Sequence, residues 1–532
     1  MKKGNWRDRD RRRLGYRSDW QRDSARHRTQ EQRYGSSEAG PSYRDRTPES
    51  RPVSNGAASS SSSSAAPELP GFYFDAEKNR YFRLLPGHNN CNPLTRGLLQ
   101  EREQEKHRAR MTTEDERPRK KAPRAGLNSA LLLQKRHLGL LPGNSYSRLI
   151  HEVKVSGMRR HRLEVQSSDT SSPNTDNFRL IVGDSACERV FTVNDVSHGG
   201  CKYGIMNFRG CSRGSLSVEM CDNLYFTNRK VNSICWASVT HPDSHVLLCL
   251  VGMAETPGCV SLLPASLFSN SNPDQPGMLC SFKISTAWSC AWCLNPQADK
   301  TFSTGLSRRV IVTDAVTGRR QTYGISSDVL AQQFALRAPV LFNGCRSGEI
   351  FSIDLRQRGR RDHSWKACRF YQDSAITSVR ILQDENYLLA ADMIGEVGQV
   401  SHTHTHVVKL AFSNSVLPVC YVSLQIKLWD VRVTKPVQKY EGHHNQHAYL
   451  PLHVNEAEGL LTAVGQDCYT RLWSLGDGQL LRTIPSPHPA GKDMIPSVVF
   501  SSQLGGSRGL PGLLMAVRHD LYYFPYNSDY QE

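Results

Sequence analysis

The residues in this sequence most suited to catalysis or metal binding are serines and cysteines in short motifs. Two Gly-x-Ser-x-Gly motifs, at 210–214 and 505–509, have the form of a turn that carries a nucleophilic serine, but no helical pattern follows either of them. Cys290 and Cys293 form a single CxxC pair, and residues three apart on a strand point to opposite faces. We therefore interpret the serine motifs as glycine-rich turns and predict no zinc site at the cysteines.

Three histidines, His402, His404 and His406, alternate along the chain and would share one face of a strand. They could bind a metal, and a histidine-containing loop without metal is the alternative. The sequence contains neither a GxxxxGK[ST] phosphate loop nor an HExxH zinc motif. We predict that the chain is not an enzyme and has no catalytic residue, metal or cofactor.

Two Asp-x-Arg pairs carry the strongest functional signal. Asp354 and Arg356 follow an apolar strand, and Asp430 and Arg432 occupy the same position one repeat later. Period two places each Asp and Arg on one side of its strand, from which a guanidinium presents a planar fork of donors to a partner. The alternative is that each Arg pairs with its own Asp and braces the turn. Recurrence in successive repeats favours docking.

Composition excludes several classes of protein. The 532 residues include 67 Lys+Arg and 50 Asp+Glu, a net charge of +17. Mean hydropathy is −0.51, and no apolar run approaches the ~18 residues that span a bilayer. The start of the chain lacks the apolar stretch of a secretory signal. The 15 dispersed cysteines indicate reduced thiols rather than a disulfide framework.

The amino-terminal part of the chain differs in texture from the rest. Residues 1–66 hold 15 Lys+Arg and 8 Asp+Glu with few apolar residues, which predicts a disordered Arg/Ser-rich tail, either solvated or an RNA- or partner-binding arm. Residues 67–146 follow as a second region. There, five aromatics on either side of a polar turn, within 71–82, predict a hairpin.

The rest of that region reads as two helices and a linker. Leu, Glu, Gln and Arg dominate 93–110, and an apolar helical pattern covers 127–141. Between them, 117–124 is a basic, proline-broken cluster. This cluster is either a nuclear import signal or an ordinary charged linker.

From residue 147 the chain consists of short apolar runs separated by turn residues. A strand with an apolar residue, a gap of four and then a large apolar residue recurs, closing at Trp236, Trp292, Phe334, Ile381, Leu452 (a weaker copy) and Phe500. Apart from two larger gaps, of 56 and 71 residues, the spacing is close to the ~40–45 residues of a four-stranded propeller blade. We predict an all-β propeller over 147–527 with a closing strand at 148–155. Seven blades are favoured, and the sequence also permits six or eight.

The gap of 71 residues indicates an insertion. A second blade strand ends near Asp392 and the third begins near Ile426, so the 31 residues 394–424 exceed the ordinary length. We predict that they interrupt a strand-to-strand turn.

Two repeats contain more specific sequence motifs. Residues 426–430 read Ile-Lys-Leu-Trp-Asp, and a Gly-His pair follows at 442–443. This pattern resembles the WD-repeat β-propellers. In that family a buried His, a turn Asp and a strand Trp form a hydrogen-bonded network, so the resemblance implies a structural role for His443, Asp467 and Trp473.

The paired Asp-x-Arg motifs, with the aromatic segment at 71–82 and the turn at 464–471, resemble the substrate receptors of cullin-4 RING ubiquitin ligases. The resemblance implies that Asp354, Arg356, Asp430 and Arg432 face the adaptor, damage-specific DNA-binding protein one. It also implies that a helix within 94–141 enters the adaptor's cleft, that the opposite face holds a protein substrate, and that cullin-4 and the RING subunit join indirectly.

The alternative function is a WD-repeat scaffold in an RNA- or ribonucleoprotein-binding complex, which the basic tail favours. We expect a nuclear or cytoplasmic location, with the nucleus favoured, and no membrane partner. On the receptor hypothesis, the insertion 394–424 lies on the face away from the third-strand ends. It would therefore disturb substrate recognition more than adaptor docking.

Overall fold

A computed structural model describes residues 72–75, 80–83, 96–116, 129–166, 177–196, 199–209, 216–220, 225–252, 257–268, 280–357, 365–393, 425–446, 449–488, 494–506 and 509–525. The chain divides into two units, residues 1–83 and 84–532. In the first unit the aromatic segment forms an antiparallel hairpin of β1 (Phe72–Asp75) and β2 (Arg80–Arg83). The tail predicted to be disordered, 1–66, lies outside the described residues.

The second unit begins with three helices. They are α1 (Arg96–Glu116), α2 (Ser129–His137) and α3 (Gly143–Ser156). The first two overlap the helices predicted at 93–110 and 127–141. The basic cluster between them lies outside the described residues.

Helix α3 contradicts the prediction of a closing strand at 148–155. Tyr146, Leu149, Ile150 and Val153 follow the i, i+3, i+4, i+7 spacing that gathers apolar residues on one helical face. The closing strand is instead β3 (His161–Leu163), and β4 (Val165–Gln166) follows it.

The remaining strands form seven sheets, which are the blades of a propeller. Blades 1 to 3 contain β5 (Asn177–Gly183), β6 (Arg189–Asp195), β7 (Cys201–Arg209), β8 (Ser217–Met220) with β9 (Tyr225–Thr227); β10 (Val231–Ala237), β11 (His245–Leu250), β12 (Cys259–Pro264), β13 (Cys280–Lys283); and β14 (Ala287–Trp292), β15 (Thr301–Leu306), β16 (Arg309–Asp314), β17 (Arg320–Gly324). Blades 4 and 5 contain β18 (Val329–Phe334), β19 (Val340–Cys345), β20 (Glu349–Asp354), β21 (Lys366–Tyr371); and β22 (Ile376–Ile381), β23 (Tyr387–Asp392), β24 (Gln425–Asp430), β25 (Lys435–Glu441). Blades 6 and 7 contain β26 (Leu452–Asn455), β27 (Leu460–Val464), β28 (Tyr469–Ser474), β29 (Leu480–Pro485); and β30 (Ser497–Leu504), β31 (Leu510–Val517), β32 (Asp520–Pro525).

The ring is closed by strands from distant parts of the chain. Strand β3 pairs antiparallel with β32 as the fourth strand of blade 7, with Leu163 opposite Leu521. Strand β4 then pairs in parallel with β8 of blade 1. The consecutive strands β3 and β4 thus join blade 7 to blade 1. Because this closure leaves no free sheet edge between the first and last blades, it holds the ring together.

The first strands of neighbouring blades contact one another around the centre of the ring. Four of them carry a serine that bonds to the backbone of the next first strand, which satisfies polar groups at the inner edge. The hydroxyls of Ser233, Ser378 and Ser497 accept the backbone N–H groups of Cys290 (3.3 Å), Leu452 (3.1 Å) and Ile181 (3.0 Å), respectively. The hydroxyl of Ser289 donates to the backbone carbonyl of Val329 (3.2 Å). These bonds link blades 2 to 3, 5 to 6, 7 to 1 and 3 to 4.

The hydrophobic core lies between the faces of adjacent blades. Between blades 4 and 5, for example, Ile350 and Phe370 pack with Val379 and Leu388. The Phe370 ring lies 4.7 Å from that of Trp429, centroid to centroid. Each blade is therefore stabilised by its neighbours, and the third strands are held in fixed relative positions.

The insertion occupies the predicted place in the fold. Strands β23 and β24 pair from Tyr387–Asp430 to Ala391–Ile426, so 394–424 joins the second strand of blade 5 to its third. The segment itself, with the three histidines, lies outside the described residues.

The motifs with catalytic or metal-binding form have structural surroundings where they are described. The motif at 505–509 joins β30 to β31, and the one at 210–214 lies outside the described residues. Cys290 and Cys293 belong to different core clusters. All cysteines that the structure describes are free thiols, and in the same part of the chain no group of three His, Cys, Asp or Glu side chains is arranged to hold a metal. No described helix is long and apolar enough to cross a membrane.

Asp520 connects the closing strand to blade 7. Its nearly buried carboxylate accepts hydrogen bonds from Arg162 Nη2 (2.6 Å), His488 Nε2 (2.9 Å) and the Tyr522 hydroxyl (3.2 Å). Burial alone would raise the pKa of Asp520, but the His488 hydrogen bond and the Arg162 charge offset it, and the net shift is downward.

We predict that Asp520→Ala lowers the free energy of unfolding by about 3 kcal/mol at pH 7, because it leaves the largely buried His488 ring and Tyr522 hydroxyl without their acceptor. Since the folded-state pKa is lowered, the wild-type advantage is present above the unfolded pKa of about 4 and disappears as pH falls through the folded value. Urea unfolding at pH 7 and pH 3 measures it. The control is Arg148→Gln, which breaks an exposed pair with Glu152; an equal loss in both variants would contradict the role of Asp520.

Candidate docking surface

The two Asp-x-Arg pairs lie at the ends of equivalent strands in adjacent blades. Asp354 is the last residue of β20, the third strand of blade 4, and Asp430 is the last residue of β24, the third strand of blade 5. Equivalent strands of a propeller end at the same edge of the ring. We call this edge, defined by Asp314, Asp354, Asp430 and Ser474, the docking rim, and the other edge the opposite rim.

Asp354 holds both the backbone and the side chain of Arg356. Its Oδ1 accepts the Arg356 backbone N–H at 3.0 Å and Nε at 2.9 Å, and its Oδ2 accepts Nη2 at 2.7 Å. The guanidinium thus donates two parallel hydrogen bonds to the carboxylate, which is the strongest geometry for this pair. The Arg356 hydrogen bonds and charge lower the pKa of Asp354, so the pair stays ionised at neutral pH.

Asp430 and Arg432 repeat this geometry. Asp430 Oδ1 accepts the Arg432 backbone N–H at 2.9 Å and Nε at 3.0 Å, and Oδ2 accepts Nη2 at 2.7 Å. The Arg432 guanidinium also lies 5.6 Å from the centre of the Tyr387 ring. Arg432 lowers the pKa of Asp430 to about 2. Two blades therefore present the same side chain in the same orientation.

The arginines are paired and exposed at once. The Arg356 and Arg432 side chains are 61% and 58% exposed, whereas Asp354 and Asp430 are largely covered. Each Asp braces its turn and fixes the position of an arginine that is itself exposed. The bracing and docking interpretations are thus compatible. Contact with an adaptor through these four residues stays a prediction.

Blade 3 carries a third aspartate of this kind that the sequence reading did not select. Asp314 Oδ1 accepts the backbone N–H groups of Val316 (2.9 Å) and Thr317 (3.0 Å). Val316 occupies the position that arginine has in blades 4 and 5, and it is 67% exposed. The search for Asp followed by Arg missed Asp314, although the apolar strand ending in Asp was available as a signal.

Further exposed apolar side chains lie on the same rim. Leu294 and Leu336 follow the first strands of blades 3 and 4, and Val433 follows Arg432 in blade 5. With Val316 they add apolar surface to the same three blades that carry Asp314 and the two arginines. Apolar residues mixed with arginine are typical of protein–protein interfaces.

Helix α3 lies at the docking rim beside blade 6. Lys154 pairs with Glu458, and His151 Nδ1 lies 3.3 Å from the hydroxyl of Ser474. The last turn of α3 is held by Arg482, whose Nη1 donates to the carbonyl of Val155 at 2.7 Å. Helix α3 thus reaches the same edge as the arginines.

Helix α2 extends from α3 and has exposed leucines. The Arg136 guanidinium lies 4.7 Å from the centre of the Tyr146 ring, which joins the two helices. Leu133 in α2, and Leu138 and Leu140 just after it, are exposed. A cluster of exposed leucines on a surface helix marks an interaction site.

Helix α1 is anchored at the opposite rim. Arg108 is only 5% exposed, and its Nη2 donates to the carbonyl of Asp467 at 2.9 Å. Its guanidinium lies 5.1 Å from the centre of the Tyr469 ring. Asp467 lies between the second and third strands of blade 6, so this contact is on the edge away from the docking rim.

The predicted His443–Asp467–Trp473 hydrogen-bonded network is wrong in its bonds. The Asp467 carboxylate pairs with Arg471, Oδ1 to Nη1 at 3.1 Å and Oδ2 to Nη2 at 2.5 Å, and Trp473 Nε1 donates to the carbonyl of Glu441 at 2.9 Å. Both ring nitrogens of His443 are buried without a hydrogen-bond partner in the described part of the chain. The reason is charge: a guanidinium competes better for the carboxylate than a neutral imidazole. Burial and the Arg471 charge lower the pKa of His443 to about 4.

Comparisons with known proteins identify the family of the propeller. The family model of the DDB1- and CUL4-associated factor 4 beta-propeller domain matches residues 146–409 and 399–526. The chain belongs to that family. It is 56% identical to the human DDB1- and CUL4-associated factor 4 over 531 residues, which are 99% of this chain and all of that protein, and 54% identical to the Bos taurus protein over 534 residues, with the same coverage. It is 52% identical to the human DDB1- and CUL4-associated factor 4-like protein 2 over 424 residues, 79% of this chain and all of that protein.

Family membership confirms two predictions made from the sequence, the β-propeller fold and a chain that is not an enzyme. The two stretches matched by the DDB1- and CUL4-associated factor 4 family model meet within the insertion 394–424. The interruption of the family pattern therefore coincides with the extra length in blade 5.

We predict that Arg108→Ala releases α1 from the propeller while the blades stay folded. Loss of its charged hydrogen bonds should speed amide exchange in Arg96–Glu116 about tenfold or more, which corresponds to at least ~1.4 kcal/mol. Hydrogen–deuterium exchange measures this, with Arg102→Ala, on an exposed position of α1, as the control. Unchanged exchange in the Arg108 variant would contradict the anchoring.

Proposed function

We propose that this chain is the non-catalytic substrate receptor of a cullin-4 RING ubiquitin ligase and binds its adaptor through the docking rim. The observation that carries the proposal is the pair of exposed, carboxylate-held guanidiniums of Arg356 and Arg432 in adjacent blades. The names of the relatives give DDB1 and CUL4 as their associates. Damage-specific DNA-binding protein one is therefore the proposed direct partner, and cullin-4 and its RING subunit are indirect ones.

Preorganisation is what the docking rim contributes to binding. Each guanidinium is already fixed by its aspartate, so less side-chain entropy is lost when a partner binds. Val316, Leu336 and Val433 add apolar surface around the charges. Such a surface suits a partner that offers carboxylates or carbonyls beside an apolar patch.

Helix α2, within the predicted segment 94–141, is the element we propose to enter the adaptor's cleft. Leu133 of this helix, and Leu138 and Leu140 just after it, are exposed, and α3 holds α2 at the same rim as the arginines. Helix α1 is less suited to this role, because Arg108 ties it to the opposite rim. A helix that fills a cleft and a rim that covers the adjoining surface would together make a two-part interface.

The opposite rim is left for the substrate. The second-to-third-strand turns lie there, including the one interrupted by 394–424. We propose that the insertion alters substrate recognition more than adaptor binding. The receptor's contribution to ubiquitin transfer would be effective concentration, because it holds substrate lysines near a conjugating enzyme bound to other subunits.

Two further proposals rest on charge. The net charge of +17, concentrated in part in 1–66, supports binding of nucleic acid by the tail. The basic cluster at 117–124 supports a nuclear location. Neither proposal bears on the docking rim.

The proposal predicts that Arg356→Glu combined with Arg432→Glu weakens binding to the purified adaptor at least about 30-fold. Each reversal removes a docking donor and sets a negative charge beside an existing carboxylate. Biolayer interferometry with the full chain measures the dissociation constant. Circular dichroism and the thermal midpoint check that the propeller is folded.

The matched control reverses two exposed arginines on the opposite rim of neighbouring blades, Arg308→Glu with Arg346→Glu. It makes the same change in net charge, so long-range electrostatics are equal in both variants. We expect adaptor affinity to stay within about threefold of wild type. A folded docking-rim variant that still binds like this control would rule out the docking rim as the adaptor site.

A further inference from the structure

One level of the central channel is lined by polar side chains from consecutive blades. Gln333, Arg380 and His453 occupy the same register position of the first strands of blades 4, 5 and 6, each opposite the third residue of its blade's second strand. Cys235 has this position in blade 2. All four are partly buried.

These side chains lie along the inner edge of the ring. Gln333 Oε1 accepts the backbone N–H of Ile381 at 2.9 Å, and Arg380 Nε donates to the carbonyl of Leu452 at 2.9 Å. Each therefore reaches from one first strand to the next. The remaining polar atoms of Arg380 are left at the channel.

Arg380 is a charge without a counterion in the described part of the chain. Its two Nη groups have no hydrogen-bond partner there, and no carboxylate pairs with it. Burial lowers the pKa of Arg380, and the neighbours that act against this are Tyr449 and Cys235. Guanidinium remains protonated at physiological pH, so the channel holds an unbalanced positive charge, which is unfavourable in a protein interior.

Two neutral side chains lie close to this charge. His453 follows Leu452, whose carbonyl Arg380 contacts, and burial followed by the Arg380 charge lowers the pKa of the imidazole to about 3. The phenol of Tyr449, from the loop before blade 6, lies beside Ser233 of blade 2 on the other side of the ring. Tyr449 is 44% exposed, and partial desolvation raises the pKa of its phenol to about 12. At neutral pH both are therefore uncharged groups able to donate hydrogen bonds.

We propose that the central channel binds a small anion of the phosphate or carboxylate type, held by the Arg380 guanidinium and hydrogen-bonded by His453 and Tyr449. Guanidinium matches the paired oxygens of such groups in both geometry and charge. The ligand is a small ion rather than a peptide segment, because Tyr449, from the loop before blade 6, lies next to Ser233 of blade 2. This site is independent of the docking rim and of the proposed function.

The test is thermal unfolding of the full chain in increasing inorganic phosphate, with sodium chloride adjusted to constant ionic strength. Binding to the folded state raises the midpoint by mass action. Phosphate also stabilises proteins by exclusion from their surface, so Arg346→Gln, a neutralised exposed arginine on the opposite rim, reports that general effect. We expect Arg346→Gln to follow wild type and Arg380→Gln to bind phosphate at least about tenfold more weakly.

Calorimetric titration with phosphate extends the test to His453→Gln, for which we expect about threefold weaker binding. If Arg380→Gln does not fold, Arg380→Lys replaces it, because it keeps the charge and loses the two-pronged geometry; at least about fivefold weaker binding is expected. Equal midpoints for wild type in phosphate and chloride, or equal phosphate affinity for wild type and the Arg380 variant, would overturn the site. Saturable binding of an acetylated pentaglutamate peptide but not of phosphate would overturn the choice of a small ion.

Discussion

Ring closure is the constraint on which the rest of the molecule depends. Strand β3, from the amino-terminal side, completes blade 7 by pairing with β32, and Asp520 ties the two strands together through Arg162. Once the ring is closed, every blade face is covered by its neighbour and the first strands are linked by serine hydrogen bonds. The third-strand ends then cannot move independently. Because their spacing is fixed, the two Asp-x-Arg turns of blades 4 and 5 form one continuous surface.

That surface depends on aspartates as much as on arginines. An exposed arginine alone samples many rotamers, and a surface ion pair alone contributes little to stability. In blades 4 and 5 the Asp carboxylate is largely covered and accepts a backbone N–H. The carboxylate therefore has a fixed position and holds the guanidinium in one orientation. The value of the pair therefore lies in orientation for binding rather than in folding free energy.

The repeat itself was predictable because it depends on local pattern. Apolar strands, the Trp-Asp mark at 429–430 and the blade length gave the fold, and simple arithmetic located the insertion between β23 and β24. The closing strand was not predicted correctly, because the helical spacing of Tyr146, Leu149 and Ile150 was read as a strand. A three-residue strand such as β3 has too little sequence to carry a periodic signal.

Long-range contacts could not be predicted from the sequence. Nothing local indicates that Arg108 binds the carbonyl of Asp467, 359 residues away, or that Arg471 rather than His443 takes the Asp467 carboxylate. The same holds for the channel, where Arg380 and His453 become neighbours only after the blades assemble. Family patterns supplied residue positions, and the competition between charged and neutral partners decided the bonds.

The most direct measurement is hydrogen–deuterium exchange of the full chain with and without the purified adaptor. The account predicts protection in the turns after β20 and β24, at 354–357 and 430–434, and in α2 (Ser129–His137). It predicts little change in the opposite-rim turns at 307–308 and 346–348. Protection confined to the opposite rim, with the turns after β20 and β24 unchanged, would contradict it.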